Sequence, residues 1–564
     1  MRAAAGVLLT VHAILAWMHR VPGLTTEHDD AWYLVLARAL RQFSYAELPI
    51  VGTPPHAMYP PGYPALLALF GATGPESVSL AVAVNVALSV LSLVLAARLA
   101  ARISAWCALA LLLVCAFNPQ LLHQAAGVGS EVLYEVATLV ALLALTAERR
   151  GMRASLVHVG PVAGAVVAAL TRTIGVTLLL AMAFEFTLAR RWRSLAQLAL
   201  VAGLTVGPWM WWTVRAPRQT AGRSYIADAT VVYPTREGEP AATANATAEA
   251  TAPSDRAYST LARLAIVVRI ASRRVSHHVR GYGRTYLPAA FAVPLIAGTL
   301  VDNGLWLLVL VIGIGVGFVQ LWRRLRPVVL YLLVYLGLLV VWPYLMTRYL
   351  GPILPLLVLS LLLGVQAIVM RLLASRNVAA RAAMGVAAAL AVVLALSGAF
   401  QDVSRLALVA ECDRAAPTVS PGCFGQEQRD FFAGIEAARR LTPDSAHFLG
   451  AKDATFHLLS GRQSARESEA IARPDAQQFA AFLREHGVQY ILLSRVHIDQ
   501  AAMAGPLGSD CASYELVQQV GAHVRLLRVP PSGVTIDDAT GARACRAIAA
   551  WADGDWLNSN GPLW

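Results

Sequence analysis

The chain has 564 residues, of which 57% are hydrophobic and only 14% are charged, and its mean hydropathy is +0.56. Soluble globular proteins carry about 25% charged residues, so this composition excludes an ordinary soluble enzyme and a disordered chain. It predicts a polytopic α-helical membrane protein. The formal net charge of +12 would suggest a nucleic-acid partner in a soluble protein. Here the basic residues, all arginine except Lys452, follow another pattern.

About 20 apolar residues in a helix cross a bilayer, and eleven stretches, some of them short, are candidates for such spans. They lie near residues 3–19, 79–98, 104–118, 130–147, 155–171, 173–189, 195–213, 304–321, 327–343, 350–370 and 382–400. Arginines cluster in every second connection, at Arg98 and Arg102, Arg149–Arg153, Arg190–Arg193, Arg323–Arg326 and Arg371–Arg381. The positive-inside rule places these connections and the N-terminus in the cytoplasm. The basic charge is therefore a topology signal, and no nucleic-acid partner is expected.

Eleven spans place three segments outside the membrane: the loops 21–78 and 215–303, and the tail 401–564 that follows a membrane domain of residues 1–400. The tail reads as a small α/β domain. QEQRDFFAGIEAARRL and DAQQFAAFLREHG have the apolar spacing of helices, and AHFLG, VQYILLS and HVRLLRV are typical of strands.

Four cysteines lie in this tail, at Cys412, Cys423, Cys511 and Cys545. An oxidising compartment outside the cytoplasm would join them in two disulfides. Among the three possible connectivities we favour the two short-range pairs, 412–423 and 511–545.

The first outer loop begins with Glu27, His28, Asp29 and Asp30, directly at the outer end of the first span. An amphipathic helix follows, whose apolar stripe from Trp32 to Phe43 is expected to lie on the membrane surface. One aspartate can cap this helix, but capping leaves the other acidic groups unexplained. Paired acids at a membrane boundary suit a general base, whose pKa is raised by its neighbour.

The same loop ends in PPHAMYPPGYP, residues 54–64, with five prolines in eleven residues. Such a segment is rigid and non-helical, and Tyr59 and Tyr63 suit interfacial anchors. A stiff turn does not require His56, which is therefore a candidate site residue.

Arginines also occur at two tight outer turns, against the positive-inside trend, at Arg172 and at Arg348 beside Tyr349. An arginine in this position needs an anionic partner. A salt bridge to Glu131 or Asp29 is one possibility. A lipid phosphate is the other, because the guanidinium fork matches phosphate geometry.

The sequence contains no phosphate-binding glycine loop, no zinc-ligand spacing and no GxSxG motif. A soluble nucleotide donor therefore has no visible binding site, and the candidate reactive groups all face outward.

The chain resembles the GT-C superfamily of polyprenyl-phosphate-sugar-dependent glycosyltransferases, and within it the protein O-mannosyltransferase and lipid A aminoarabinose transferase families. The segments that carry the resemblance span about residues 1–365 in the order of the family. They are HDDAWYLVLARAL, HAMYPPGYPALLALF, GSEVLYEVATLVALLAL, LTRTIGV, GPWMWW and RYLGPILPLLVL. The tail is similar to the outer soluble domain of many bacterial members.

The resemblance implies that Asp29 or Asp30 is the catalytic base, and we favour Asp30, which directly precedes the helix start. Many relatives have a phosphate-binding lysine where this chain has Met58. This departure gives more weight to His56, Arg172 and Arg348 as substrate-binding residues. Further members of the predicted substrate-binding set are Tyr59, Glu131 and Tyr349.

The implied activity is inverting transfer of a hexose or pentose from a polyprenyl-phosphate donor to an extracytoplasmic glycan, lipid or protein. The implied location is the bacterial inner membrane. No metal site is predicted, but some GT-C enzymes use a divalent metal and others do not, so metal dependence stays open.

The main alternative is a lipid-linked sugar flippase or another transporter without transferase activity. Transporters commonly show related halves and mid-membrane charges, whereas here the charges cluster at outer span ends and no repeat is evident. A third alternative, an assembly protein whose tail binds a partner, does not explain the acidic outer loop.

Overall fold

The computed structural model describes residues 2–21, 23–25, 29–148, 155–220, 272, 274–293, 300–342, 344–373, 376–414, 424–531 and 533–553. Glu27 and His28 lie outside these residues, as does Cys423, so the predicted 412–423 disulfide stays a prediction.

Helices make up most of the described residues up to Arg414. Their bounds are α1 (Arg2–Met18), α2 (Asp30–Arg41), α3 (Gly62–Phe70), α4 (Val78–Ala101), α5 (Ala105–Ala116), α6 (Pro119–Ala126), α7 (Glu131–Glu148), α8 (Ser155–Thr171), α9 (Val176–Leu188), α10 (Trp192–Thr220), α11 (Leu287–Ala290), α12 (Leu300–Val341), α13 (Leu354–Leu372) and α14 (Arg376–Arg414). The helix α14 continues past residue 400, the end of the predicted membrane domain, to Arg414.

Every predicted span lies on one of these helices, but the count of eleven is not confirmed. Among the described residues, five helices are long and apolar enough to cross a membrane, or six if the bent pair α5–α6 counts as one span. Two predicted spans, 304–321 and 327–343, fall within α12, which is interrupted at Leu325, where φ and ψ are −139° and 53°. Others lie on helices below the length limit, such as α1.

Close packing of α12 against α13 depends on small residues. A Cβ atom on Gly317 would collide with the backbone of Ser360, and one on Gly364 would collide with the backbone of Gly313. Small residues let membrane helices approach until their backbones touch. Nearby, Glu185 of α9 forms a two-pronged salt bridge with Arg326, with N–O distances of 2.8 and 2.9 Å.

The amphipathic helix α2 differs from its prediction. We expected one apolar stripe on the membrane surface, but the structure buries most of the helix, from Ala31 to Ala39. It packs against α3 on one side and against the tail domain on the other. Phe43, just past its end, is fully exposed.

The tail forms the predicted α/β domain. Its five-stranded mixed sheet has the order β2-β1-β3-β5-β4, with parallel pairs β1–β2 and β1–β3 and antiparallel pairs β3–β5 and β4–β5. The strands are β1 (His447–Gly450), β2 (Gln463–Ala465), β3 (Tyr490–Ser494), β4 (Glu515–Val520) and β5 (Val524–Arg528). The helices are α15 (Gln426–Leu441), α16 (Asp453–Ser460), α17 (Glu467–Ile471), α18 (Ala476–Glu485), α19 (Ala504–Ser509) and α20 (Asp538–Ala552).

A disulfide joins Cys511 to Cys545, whose Cα atoms are 4.8 Å apart. It ties α20 to the segment before β4.

Candidate active site

Four charged side chains from distant parts of the chain meet beside the outer loop. Arg348 contacts Asp29 with an N–O distance of 2.9 Å and Glu131 with one of 3.3 Å. Arg172 contacts the same Glu131 oxygen at 2.5 Å. Both predicted arginines therefore have carboxylate partners, and the two pairs are joined through Glu131. Charge-assisted contacts of this kind are stronger than those between neutral groups.

Each of these residues sits at the end of a helix or in a tight turn. Asp29 directly precedes α2, and Glu131 is the first residue of α7. Arg172 lies in extended backbone between α8 and α9, and Arg348 lies in a 3₁₀ turn over Thr347–Tyr349. The helices fix the backbone of these four residues, and their side chains extend from the helix ends toward one point.

Tyrosines surround the charged residues. The Tyr59 hydroxyl donates to Asp29 Oδ1 at 2.7 Å, and the hydroxyl groups of Tyr33 and Ser130 lie 2.9 Å apart. The guanidinium groups of both arginines lie about 6 Å from the Tyr349 ring centre, a cation–π distance. Tyr59 and Tyr349 thus join the cluster to which the sequence assigned them.

The two adjacent aspartates have different environments. The side chain of Asp29 is 28% exposed and faces Arg348. Asp30 is buried, and one of its oxygens accepts from the Thr25 amide and hydroxyl while the other accepts from the Ala31 amide. Burial raises the pKa of Asp30 to about 6, although these hydrogen bonds oppose the shift.

His56 does not join the arginines. It is buried, its Nδ1 lies 3.0 Å from Glu47, and its Nε2 accepts from the Tyr59 amide at 2.8 Å. Its ring stacks on Trp32 and on Tyr59. Both ring nitrogens are therefore engaged within the protein.

Sequence reasoning missed several polar residues that hold this site. The Asn85 amide donates to the carbonyls of Gly127 and Gly129 and so fixes the turn before Glu131. The Gln124 amide donates to the Arg348 carbonyl at 2.8 Å. The signal for Asn85 in the sequence is a carboxamide within an otherwise apolar stretch, whereas Gln124 lies among other polar residues, Gln120 and His123.

Two cavities flank the charged cluster. One, of about 30 Å³, is lined by Asp29, Glu131 and Arg348, with Gln124 among its other walls. The second, also of about 30 Å³, is lined by Arg172, and its other polar walls include Tyr59, Ser130 and Tyr349. Tyr33 borders both. Each is large enough for water and not for a sugar, so a donor must widen them by moving their walls.

A metal ion does not fit the site as described. Among the described residues no group of three or more His, Cys, Asp or Glu side chains is arranged to hold one. Asp29 and Glu131 are paired with arginines, and cations near them would compete with these guanidinium groups.

Known structures with the same architecture were found by comparison. No protein-family model matches the sequence, and no curated protein matches it by sequence. AglB, an archaeal oligosaccharyltransferase from Archaeoglobus fulgidus solved with an inhibitory peptide and a dolichol-phosphate, matches with a TM-score of 0.52 and 13% identity, over 94% of this chain and 75% of that one. ArnT from Cupriavidus metallidurans, bound to undecaprenyl phosphate, matches with a TM-score of 0.52 and 16% identity, over 94% of this chain and 99% of that one.

This chain has the GT-C fold. The resemblance that the sequence suggested is thereby confirmed at the level of the fold. Another structure of the Archaeoglobus fulgidus enzyme, in complex with zinc and sulfate, matches this chain with a TM-score of 0.51 and 13% identity, over 90% of this chain and 71% of that one.

Proposed function

We propose that the protein is a membrane glycosyltransferase that uses a polyprenyl-phosphate-linked sugar as its donor. The observation that carries this proposal is the convergence of Arg172 and Arg348 with Asp29 and Glu131 between two cavities of a GT-C fold. Two arginines suit a phosphate, and a nearby partly exposed carboxylate suits a base. AglB and ArnT, which share the fold, were solved with dolichol-phosphate and undecaprenyl phosphate respectively.

In this mechanism the arginines bind the donor phosphate. Their planar forks match phosphate oxygens in pairs, and a fixed positive charge stabilises the phosphate as it leaves. Because each arginine already contacts a carboxylate, the phosphate exchanges one anionic partner for another and does not enter an empty cationic site. His56 is not assigned to the phosphate, since its two nitrogens contact Glu47 and Tyr59.

We assign the general base to Asp29 in preference to Asp30. Asp29 is partly exposed and borders the cavity that Arg348 also lines, whereas Asp30 accepts hydrogen bonds from Thr25 and Ala31 in a buried position. A base must lie within hydrogen-bond reach of the proton it removes. Asp29 takes the proton of the acceptor hydroxyl as its oxygen bonds to the anomeric carbon. The bond from that carbon to the phosphate oxygen breaks, its electron pair leaves with the lipid phosphate, and the configuration inverts.

The proposed setting is the outer face of a bacterial inner membrane, with the N-terminus in the cytoplasm and the tail domain outside. The sugar transferred is a hexose or a pentose, and the acceptor is an extracytoplasmic glycan, lipid or protein.

Mass spectrometry of cell-envelope glycans, with and without the protein, tests the proposal. We expect one sugar to be missing and a lipid-phosphate sugar to accumulate when the protein is absent. Asp29→Asn should lower transfer by about 10²–10⁴-fold, the usual contribution of a general base. Asp538→Asn, at an exposed position in the first turn of α20, is the control and should transfer normally. Unchanged glycans without the protein would contradict the proposed activity, and full transfer by D29N would contradict the assigned base.

A further inference from the structure

The tail domain extends its sheet onto the first outer loop. The Val51 amide donates to the Ser464 carbonyl at 3.0 Å, and the Ser464 amide donates to the Pro49 carbonyl at 2.7 Å. The side chain of Gln463 donates to two further loop carbonyls. Residues 49–51 thus lie along the edge of β2 by main-chain hydrogen bonds, the mode by which a sheet edge binds an extended segment.

A buried ion pair accompanies these backbone contacts. Arg466, directly after β2, contacts Glu47 of the outer loop with an N–O distance of 2.5 Å. Both residues are less than 10% exposed. Burial raises the pKa of Glu47, but the hydrogen bond from His56 and the charge of Arg466 outweigh it and hold the pKa below its usual value. Removing one partner of such a pair leaves an uncompensated buried charge.

From Glu47 the contacts continue to the candidate active site. The other Glu47 oxygen lies 3.0 Å from His56 Nδ1, and His56 Nε2 accepts from the Tyr59 amide. Because Nε2 accepts, the proton of the neutral ring is on Nδ1 and is donated to Glu47. Tyr59 in turn donates its hydroxyl to Asp29 at 2.7 Å. We call Arg466, Glu47, His56 and Tyr59 the relay.

We propose that the relay couples docking of the tail domain to the placement of Asp29, so that Arg466, Glu47 and His56 are positioning residues of the active site. The proposal rests on the proposed function for the role of Asp29. Each member of the relay is held by the one before it, and the ring stacking of His56 on Tyr59 fixes the angle of the tyrosine. Displacement of a reacting group by about 1 Å costs up to about 100-fold in rate. Arg466 of the tail domain therefore affects the rate of sugar transfer without touching the substrate.

Arg466→Ala tests this coupling, and Arg495→Ala is its matched control. Arg495 is also a buried arginine of the tail domain, and it donates to the carbonyls of Ala550 and Trp551, away from the outer loop. We expect R466A to lower kcat about tenfold with KM within twofold, since donor-binding arginines are unaffected. R466K, which keeps the charge, should recover part of the loss. Equal losses of kcat in R466A and R495A would overturn the proposal, because domain damage alone would then explain them.

A double-mutant cycle tests whether Arg466 acts through Tyr59. Y59F removes the hydroxyl that contacts Asp29, so R466A added to Y59F should lower kcat less than about twofold further. Independent, multiplicative losses would show that Arg466 acts by another route and would overturn the relay.

Hydrogen exchange gives a readout that does not depend on the reaction. In R466A the amides of residues 45–60 should exchange faster than in the unmodified protein, and in R495A they should not. If cell-envelope glycans are unchanged without the protein while exchange in R466A rises, the proposed function fails but the coupling of the domain to the loop stands. If D29N keeps full transfer, only the assignment of the base fails. If D29N is inactive and R466A changes neither exchange nor kcat, the relay fails alone.

Discussion

Neighbouring aspartates at the start of α2 show how much the environment of a side chain decides its chemistry. Asp29 faces Arg348 and a cavity, and Asp30 faces Thr25 in a buried position. The sequence favours Asp30 because it directly precedes the expected helix start at Ala31, whereas the structure begins α2 at Asp30 itself. The direction of each carboxylate depends on the backbone of the first helical turn, and no local pattern in the sequence fixes that direction.

The raised pKa of Asp30, about 6 compared with 3.8 for the usual value, predicts a pH dependence of stability. The unfolded chain loses the Asp30 proton at lower pH than the folded protein does. The contribution of Asp30 to stability should therefore be greatest below about pH 4 and should decline as the pH rises to about 6, by an amount on the order of 3 kcal/mol.

Asp30→Asn removes this titration, so the melting temperature of D30N relative to the unmodified protein should rise between pH 4 and pH 7. Thr25→Ala is the matched control. It keeps the titrating group but removes the hydroxyl that donates to it, so the decline with pH should be at least as steep. Thermal unfolding in detergent at several pH values measures both. An equal slope in D30N and the unmodified protein would assign the pH dependence to other groups.

At the scale of the secondary-structure elements, the start of α3 lies very close to the end of α8, and this brings two outer turns together. An ideal Cβ on Gly62, the first residue of α3, would lie 2.7 Å from the Leu170 carbonyl oxygen and 2.9 Å from the Thr171 hydroxyl. The prolines around Gly62 stiffen this segment. The turn that carries Tyr59 thus approaches the end of α8, directly before Arg172.

Gly62→Ala should therefore push the two turns apart and lower stability by about 1–3 kcal/mol, the usual cost of overpacking. Because Tyr59 moves with α3, transfer should fall as well. Gly203→Ala is the control, since no atom lies within 4 Å of its added Cβ in the interior of α10, and alanine favours helix. Melting temperatures and transfer rates of the two variants decide the question. If G62A were as stable and active as G203A, the close approach would have no part in building the site.

Helices and strands whose apolar residues are regularly spaced can be predicted from the sequence. Elements that depend on a partner distant in the sequence cannot. The spacing of QEQRDFFAGIEAARRL predicts α15 with both of its ends, and VQYILLS contains β3. In contrast, β2 is three residues long and has only one apolar side chain. It exists because β1 and residues 49–51 pair with it. For the same reason, the sequence marked His56 as unusual but could not supply its partner Glu47, nor Arg466 behind it.

At the scale of the whole molecule, the distribution of arginine predicts which helix ends face the cytoplasm. The predicted inner turns carry the arginine clusters, and the candidate active site, the outer loop and the tail domain lie together at the opposite helix ends. The Cys511–Cys545 disulfide is consistent with an oxidising compartment for the tail, since cytosolic thiols are kept reduced. The relay requires the same arrangement, because the tail and the first outer loop can pair only on one side of the membrane.

Two single cysteines test this orientation. Val534 lies in the tail domain, and Trp192 lies at the start of α10 in a predicted inner turn. Both side chains are about 60% exposed, and each is replaced by cysteine. With a membrane-impermeant maleimide, V534C should react in spheroplasts, and W192C should react only after lysis. The unmodified protein measures the background, including any reaction of Cys412 and Cys423 in the tail, and Cys107 and Cys115 are buried. Reaction of W192C before lysis, with V534C protected, would reverse the topology, place the candidate site in the cytoplasm, and remove the reason to expect a flipped lipid-linked donor.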